Sequence, residues 1–312
     1  MLPFRLVYHP GYDAGFGNHV FPSGKYHLIV QKLQAEGVIS ERDLVSPLPA
    51  DDEELALVHD WVWIRRLRTG TLSYEEIRRL EIPYSRRMVK AFRLAAGGTI
   101  LASRLALRDR VCINLGGGFH HGFRDHGEGF CAINDVAVAI RRLQRSGLVE
   151  RVMVVDLDVH QGNGTAAIFA GDRRVFTFSM HQANNYPLEK PPSVIDVNLP
   201  DQTGDEEYLA QLRTHYLPSL WLHQPQLILY LAGADPYYQD QLGGLALTMM
   251  GLKQRDRFVI ETALRAGIPV AVTLAGGYAV RLEDTVQIHC NTVLAALEAA
   301  QATEFETRSE EI

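Results

Sequence analysis

The chain has 312 residues, 46% hydrophobic and 22% charged, a balance typical of a globular protein that folds in water. A net charge of −6 without a basic stripe argues against a nucleic-acid partner, and no run of about 18 or more apolar residues is present to span a membrane. The opening MLPFRLVYHP lacks the features of a secretory signal, and Cys112, Cys131 and Cys290 sit singly in apolar segments, so buried thiols in a reducing, cytoplasmic setting are expected rather than disulfides.

Taken in chain order, short apolar runs rich in β-branched residues predict strands at Phe4–Tyr8, Val111–Leu115, Val152–Leu157, Val175–Phe178, Leu227–Leu231 and Pro269–Leu274. Longer periodic stretches predict helices at Gly24–Glu36, Lys90–Ala106, Asn134–Ser146, Glu206–Trp221, Gly251–Arg265 and Val280–Ala299. Trp61–Arg66 reads as one more amphipathic, packed helix. The strands are nearly all apolar rather than alternating, as suits strands covered on both faces. Strand alternating with helix predicts an α/β fold: a single-domain, open, mostly parallel sheet with helices on both faces. Acid at Asp205-Glu206-Glu207 suits a first helical turn, and Gly147 suits a C-terminal stop. No internal repeat or Pro/Ser-rich linker divides residues 1–300, and residues 301–312, QATEFETRSEEI, are expected as a frayed acidic tail.

Ligands of such sheets bind beyond the carboxyl ends of the strands, and four predicted strands end there in reactive residue types. The strand from Val152 runs into Asp156-Leu157-Asp158-Val159-His160. Residues two apart share a strand face, so extension through His160 would align Asp156, Asp158 and His160. Carboxylates at the end of an apolar strand need a partner, and a dication suits Asp oxygen with His nitrogen. A capped strand end with an Asp–His hydrogen bond is the plainer alternative. Leu227–Leu231 leads to Asp235, which would complete an Asp/His/Asp set with a fourth position open to water or substrate, or would simply cap a turn. Val111–Leu115 opens into Gly116-Gly117-Gly118-Phe119-His120-His121. Glycines there permit close backbone approach, and a neutral imidazole can take a proton from water. Pro269–Leu274 leads through Gly276-Gly277 to Tyr278, whose hydroxyl would donate to an oxyanion or only pack. Four strands delivering such residues to one sheet edge favour a catalytic site over four unrelated strand ends.

The strings GGGFHH at Gly116–His121, EGFCAIND at Glu128–Asp135, DLDVHQGNG at Asp156–Gly164, AGAD at Ala232–Asp235 with LGGL at Leu242–Leu245, and AGGY at Ala275–Tyr278 follow one another in the order of the histone deacetylase family. The sequence resembles that family from about Leu6 to Ala296, most closely its class IV branch. The resemblance implies an arginase-like fold and a zinc-dependent amidohydrolase that removes an acetyl or longer fatty acyl group from an N-acyl-lysine in protein or peptide. It implies zinc held by Asp158, His160 and Asp235, with His121 as general base, His120 as its electrostatic neighbour and Tyr278 polarising the acyl carbonyl. Asp156 and Asn163 would orient the two imidazoles, Gly129 and Phe130 would line the acyl-lysine channel, and Asp156 with Ser179 and Met180 would help hold a structural monovalent cation, K+. Asn163 stands where many class I and II relatives carry Asp, and a neutral amide orients an imidazole without neutralising it. The entrance loop Gly11–His19 and the stretch from Met180-His181-Gln182 to Pro191-Pro192 depart from the class I pattern.

Other functions fit parts of the sequence. A small-molecule amidohydrolase such as an acetylpolyamine deacetylase would act on a small acylated amine, and a catalytically silent protein would only bind acyl-lysine. A two-manganese ureohydrolase would need another carboxylate near Asp235, where Tyr237 stands instead.

Overall fold

Eight strands form one sheet in which every neighbouring pair is parallel. They are β1 (Arg5–Val7), β2 (Leu44–Val45), β3 (Val111–Asn114), β4 (Val152–Asp156), β5 (Val175–Gln182), β6 (Ile195–Leu199), β7 (Leu227–Leu231) and β8 (Val270–Thr273), in the spatial order β2-β1-β3-β8-β7-β4-β5-β6. The helices are α1 (Lys25–Ala35), α2 (Asp52–Leu55), α3 (Trp61–Thr69), α4 (Tyr74–Leu80), α5 (Arg86–Asp109), α6 (Asp135–Arg145), α7 (Asn163–Ile168), α8 (Asp205–His223), α9 (Met249–Arg265) and α10 (Leu282–Glu310). This computed structural model describes residues 2–310 of the chain.

Successive strand residues face opposite ways and so feed two cores. Met153, Val155, Ile228, Tyr230, Val270 and Val272 pack with Ile29 and Leu33 of α1, Leu212 of α8, Val259 of α9 and Val293 of α10. Their alternates, Val152, Val154, Leu227, Leu229 and Ala271, pack with Trp63 of α3, Phe92 and Ala96 of α5 and Ile140 of α6. The sheet is thus apolar on both faces, as its continuous hydrophobic runs require. Trp63 and Ile64 are buried while Trp61 and Val62 are exposed, so α3 packs with one face, as its amphipathic pattern implies.

Several details differ from the sequence-based expectation, the unexpected short helices α2, α4 and α7 among them. Strands β2 and β6 were not expected: β2 has two residues, and Ile195–Leu199 interleaves Asp196 and Asn198 with its apolar residues at the sheet edge. Strand β5 continues past Phe178 to Gln182, because Met180, His181 and Gln182 pair with Val197, Asn198 and Leu199. Helix α10 runs to Glu310, through most of the segment expected as a frayed tail. That segment holds no glycine or proline to stop a helix, and its Thr303 Oγ1 donates back to the Ala299 carbonyl one turn earlier in α10. Residues 311 and 312 of the expected tail lie outside the described residues.

The four strands that carry the reactive residues, β3, β8, β7 and β4, are consecutive neighbours at the centre of the sheet. Their carboxyl ends therefore converge.

Candidate active site

Strand β4 stops at Asp156, and the chain then bends instead of extending through His160. The expected common face of Asp156, Asp158 and His160 therefore holds for only two of them. Asp156 accepts the Asp158 N–H at one oxygen and faces His120 with the other, whereas Asp158 and His160 turn toward Asp235 beyond β7. His160 Nδ1 lies 3.0 Å from Asp158 Oδ1 and 3.5 Å from Asp235 Oδ2. One ligand atom from each of the three buried residues falls within 4.8 Å of the others.

This set fits a metal ion. Asp235 Oδ2 is buried without a hydrogen-bond partner, while Oδ1 accepts the Val159 N–H at 2.9 Å. An ionised carboxylate oxygen left bare in a protein interior is costly, and a cation removes that cost. Burial and the adjacent Asp158 push the Asp235 carboxyl up to about 7. Burial works against His160, yet Asp158 and Asp235 outweigh it and raise the imidazole to about 10, so the spot between the carboxylates favours positive charge. The space itself depends on glycine. A Cβ on Gly276 would overlap Asp235 Oδ2 and stand 2.6 Å from Asp158 Oδ2, and the Gly276 N–H donates to that Asp158 oxygen at 2.9 Å. Two carboxylates and one imidazole, with no fourth protein ligand among the described residues, suit zinc with an open position.

The two histidines after β3 are buried side by side, ring centroids 4.0 Å apart, but their supports differ. His120 Nδ1 meets Asp156 Oδ2 at 2.7 Å. Burial lowers this imidazole, but Asp156 and Asp158 more than compensate and raise it to about 9. His121 Nδ1 instead meets Asn163 Oδ1, also at 2.7 Å. That oxygen accepts the Gly164 N–H as well, which fixes the orientation of the amide. His121 must therefore carry its proton on Nδ1, leaving the Nε2 lone pair free. Burial, with His120 and His160 adding to it, holds His121 well below the usual histidine range and so neutral.

A channel of about 160 Å³ leads to these residues, lined by His121, Gly129, Phe130, His160, Tyr186 and Tyr278 among others. Gly129 and Phe130 both have positive φ, 49° and 67°, held by N–H donation to the Arg79 and Leu80 carbonyls at the end of α4. Phe130 packs edge-on to Tyr278 at 5.9 Å. Burial, together with Asp158 and Asp235, keeps the Tyr278 hydroxyl protonated far above neutral pH, so its hydrogen stays available to donate. Behind Gly116 and Gly117 lies a second, apolar cavity walled by Tyr12, Phe21, Tyr26, Phe92 and Phe119. It holds about 10 Å³, room for roughly one water.

The residues expected around a monovalent cation do meet: Asp156 and Ser179 are register partners on β4 and β5, with buried Met180 next in line. Their side chains are satisfied within the protein, Asp156 as above and Ser179 Oγ by His181 Nδ1 at 2.9 Å. Backbone carbonyls would have to supply most of the coordination.

Several residues bear on the site without having been singled out from sequence. Lys25 sends its ammonium to the Ala275 carbonyl, and Asp240 accepts the Tyr278 N–H at 2.7 Å. Buried Arg255 donates to the carbonyls of Leu157 and Gly233, tying together the loops that carry Asp158 and Asp235. Tyr186 and Glu128 stand beside His121 and Asn163. All act across long sequence separations, and only Glu128 lay inside a quoted motif.

The comparisons with known proteins agree with this geometry. A histone deacetylase domain model matches residues 19–294. An uncharacterized protein of Picosynechococcus is 43% identical over 289 residues, 92% of this chain and 96% of that protein. Histone deacetylase 2 of Arabidopsis thaliana is 32% identical over 286 residues, covering 88% of this chain and 74% of its own length. The crystal structure of the HDA15 HD domain superposes with a TM-score of 0.79 at 25% identity, covering 95% of this chain and 94% of that one. A match running from the entrance loop into the last helix, and taking in the four strand ends that build the site, makes this chain a member of the histone deacetylase family.

Proposed function

We propose that this deacetylase-family hydrolase uses zinc to cleave the amide of an N-acyl-lysine in protein or peptide, with class IV character. The observation that carries the reading is a neutral His121, its Nε2 lone pair free, lining the same channel as Tyr278 and the Asp158/His160/Asp235 set. A zinc ion held by Asp158, His160 and Asp235 supplies Lewis acidity to the acyl oxygen and to water. His121 takes the proton of the attacking water at Nε2 and returns it to the departing amine nitrogen. Tyr278 donates its hydroxyl hydrogen bond to the acyl oxygen as negative charge builds there. His120, held by Asp156, supplies positive charge beside His121 and discourages protonation of His121 before water is bound. Phe130, Gly129 and Tyr186 exclude bulk water around the extended side chain of the substrate.

Asn163 in place of an acid supports the class IV likeness. The single-water cavity behind Gly116 and Gly117 supports acetyl or another short acyl group over a long fatty chain. A monovalent cation beside Asp156, Ser179 and Met180 belongs to the same reading, as does a cytoplasmic setting, which three buried free thiols favour.

One observation favours a smaller substrate. Exposed Glu81 lines the channel, where its carboxylate would attract a second protonated amine of an acetylated polyamine. The deciding experiment measures chelator-sensitive release of amine from acetyl-, propionyl-, octanoyl- and myristoyl-lysine peptides and from acetylated polyamines. Activity on short acyl-lysine peptides supports the main reading, preference for polyamines supports the second, and no chelator-sensitive hydrolysis of any of them overturns both.

A further inference from the structure

The two active-site histidines face different partners, a carboxylate behind His120 and a neutral amide behind His121. The hydrogen bonds continue beyond that amide. Because Asn163 Oδ1 is committed to the His121 Nδ1–H and the Gly164 N–H, its Nδ2 must point the other way, and it donates to Glu128 Oε1. The same carboxylate oxygen accepts the Tyr186 hydroxyl at 2.9 Å, and Tyr186 packs edge-on against the His121 ring with centroids 4.9 Å apart. The other oxygen, Oε2, lies 3.6 Å from His126 Nε2. Burial raises Glu128, but His126, Asn163 and Tyr186 outweigh it and hold the carboxyl below its ordinary value, so it is ionised at neutral pH.

We infer that Glu128 is the counter-charge and positioning residue of His121, acting through the side-chain amide of Asn163. The inference rests on the reading that His121 takes the proton of water. When it does, a buried imidazolium forms between His120 and His160, and Asn163 carries no charge to answer it. Glu128 does, one amide away: the chain Nδ1–H···Oδ1, then Nδ2–H···Oε1, polarises in one direction as positive charge appears on the ring. Tyr186 ties the same carboxylate to the channel wall, so the orientation of the base and the shape of the channel share one anchor.

The test compares Glu128→Gln, Asn163→Asp and the paired exchange E128Q/N163D in the zinc-loaded enzyme. Glu128→Gln keeps the shape and removes the charge. It is expected to lower kcat about 10- to 100-fold, the loss common for groups that orient a catalytic ligand, with KM moving less than about threefold. The paired exchange moves the charge one step inward, onto the His121 Nδ1–H, and is expected to recover most of the lost kcat. A group that only packs would give no such rescue. A second measurement needs no turnover: in metal-free protein, the His121 Nδ1 proton resonance, read by ¹⁵N-edited NMR, is expected to move upfield in Glu128→Gln. An unchanged kcat in Glu128→Gln, a paired exchange no better than either single variant, or an unmoved Nδ1 resonance overturns the relay. Wild-type protein inactive on every acyl amide would instead sink the proposed function, and the resonance would still report on the hydrogen-bonded chain.

Discussion

Lys25 on helix α1 places its ammonium 2.9 Å from the carbonyl oxygen of Ala275, 250 residues later in the chain. Ala275 holds a positive φ of 51°, and Tyr278 follows three residues on. The ammonium also lies within 6 Å of the ring centroids of Phe21, Tyr26 and Tyr278. Burial pulls this lysine down to about 8, against the fields of Asp235, Asp158 and Asp240. Lys25→Met leaves a buried carbonyl without its charged donor, at a cost of about 1–3 kcal/mol. The expected result is a Tm lower by several degrees and a reduced kcat, with Lys25→Arg milder on both counts. Thermal unfolding and turnover that are both unchanged in Lys25→Met would remove this contact from the support of the site.

Tyr278→Phe keeps the ring against Phe130 and deletes only the donor. Loss of one oxyanion donor lowers turnover by roughly 10²–10³, and the fold is expected to be untouched. Steady-state kinetics beside a thermal melt would check this. Near-normal kcat would take Tyr278 out of the chemistry.

Gly276→Ala tests the metal set without touching a ligand. The added methyl overlaps Asp235 Oδ2, so the carboxylates must spread. Zinc affinity, measured by competition with a chromogenic chelator, is expected to fall by at least about tenfold. Unaltered affinity would mean that the ion sits elsewhere.

His59 gives the fold a specific acid sensitivity. It donates Nδ1–H to the Phe123 carbonyl at 2.8 Å and accepts at Nε2 from the N–H of Asn134, the residue whose side chain caps α6. Burial depresses its pKa to about 4, against a value near 6.5 for an unfolded chain. Between those values the unfolded state binds the extra proton. The stability from a neutral His59 is therefore complete above pH ~6.5 and is lost as pH falls toward ~4, a difference of at most about 3 kcal/mol. Urea unfolding at pH 7 and pH 4.5 is expected to show a smaller acid loss in His59→Gln than in wild type. Equal losses in the two proteins would assign the sensitivity to other groups.

The parts legible in sequence are those with a local signature. Apolar runs marked the central strands, and the residues just past them marked Asp158, His160, Asp235, His121 and Tyr278, because strand ends in a parallel sheet converge by geometry alone. Strand β2 left too short a pattern, and β6 alternates polar with apolar at an edge. The bend after Asp156, which separates that residue from the Asp158 and His160 pair, has no marker in the string DLDVH. Lys25, Arg255 and Tyr186 were not legible at all. Each acts on the site through contacts with distant segments, and such pairing depends on packing rather than on neighbours in the chain.

The placement of the ligand set also bears on how the protein assembles. Asp158 and His160 are near neighbours in sequence, but Asp235 comes from beyond β7, and the set exists only once β7 has paired with β4 along Val152 to Asp156. An incompletely folded chain offers two ligands at best. On the proposed zinc reading, capture of the ion would report completion of the sheet's centre rather than start it, and binding would stabilise the finished protein by mass action without steering its folding route.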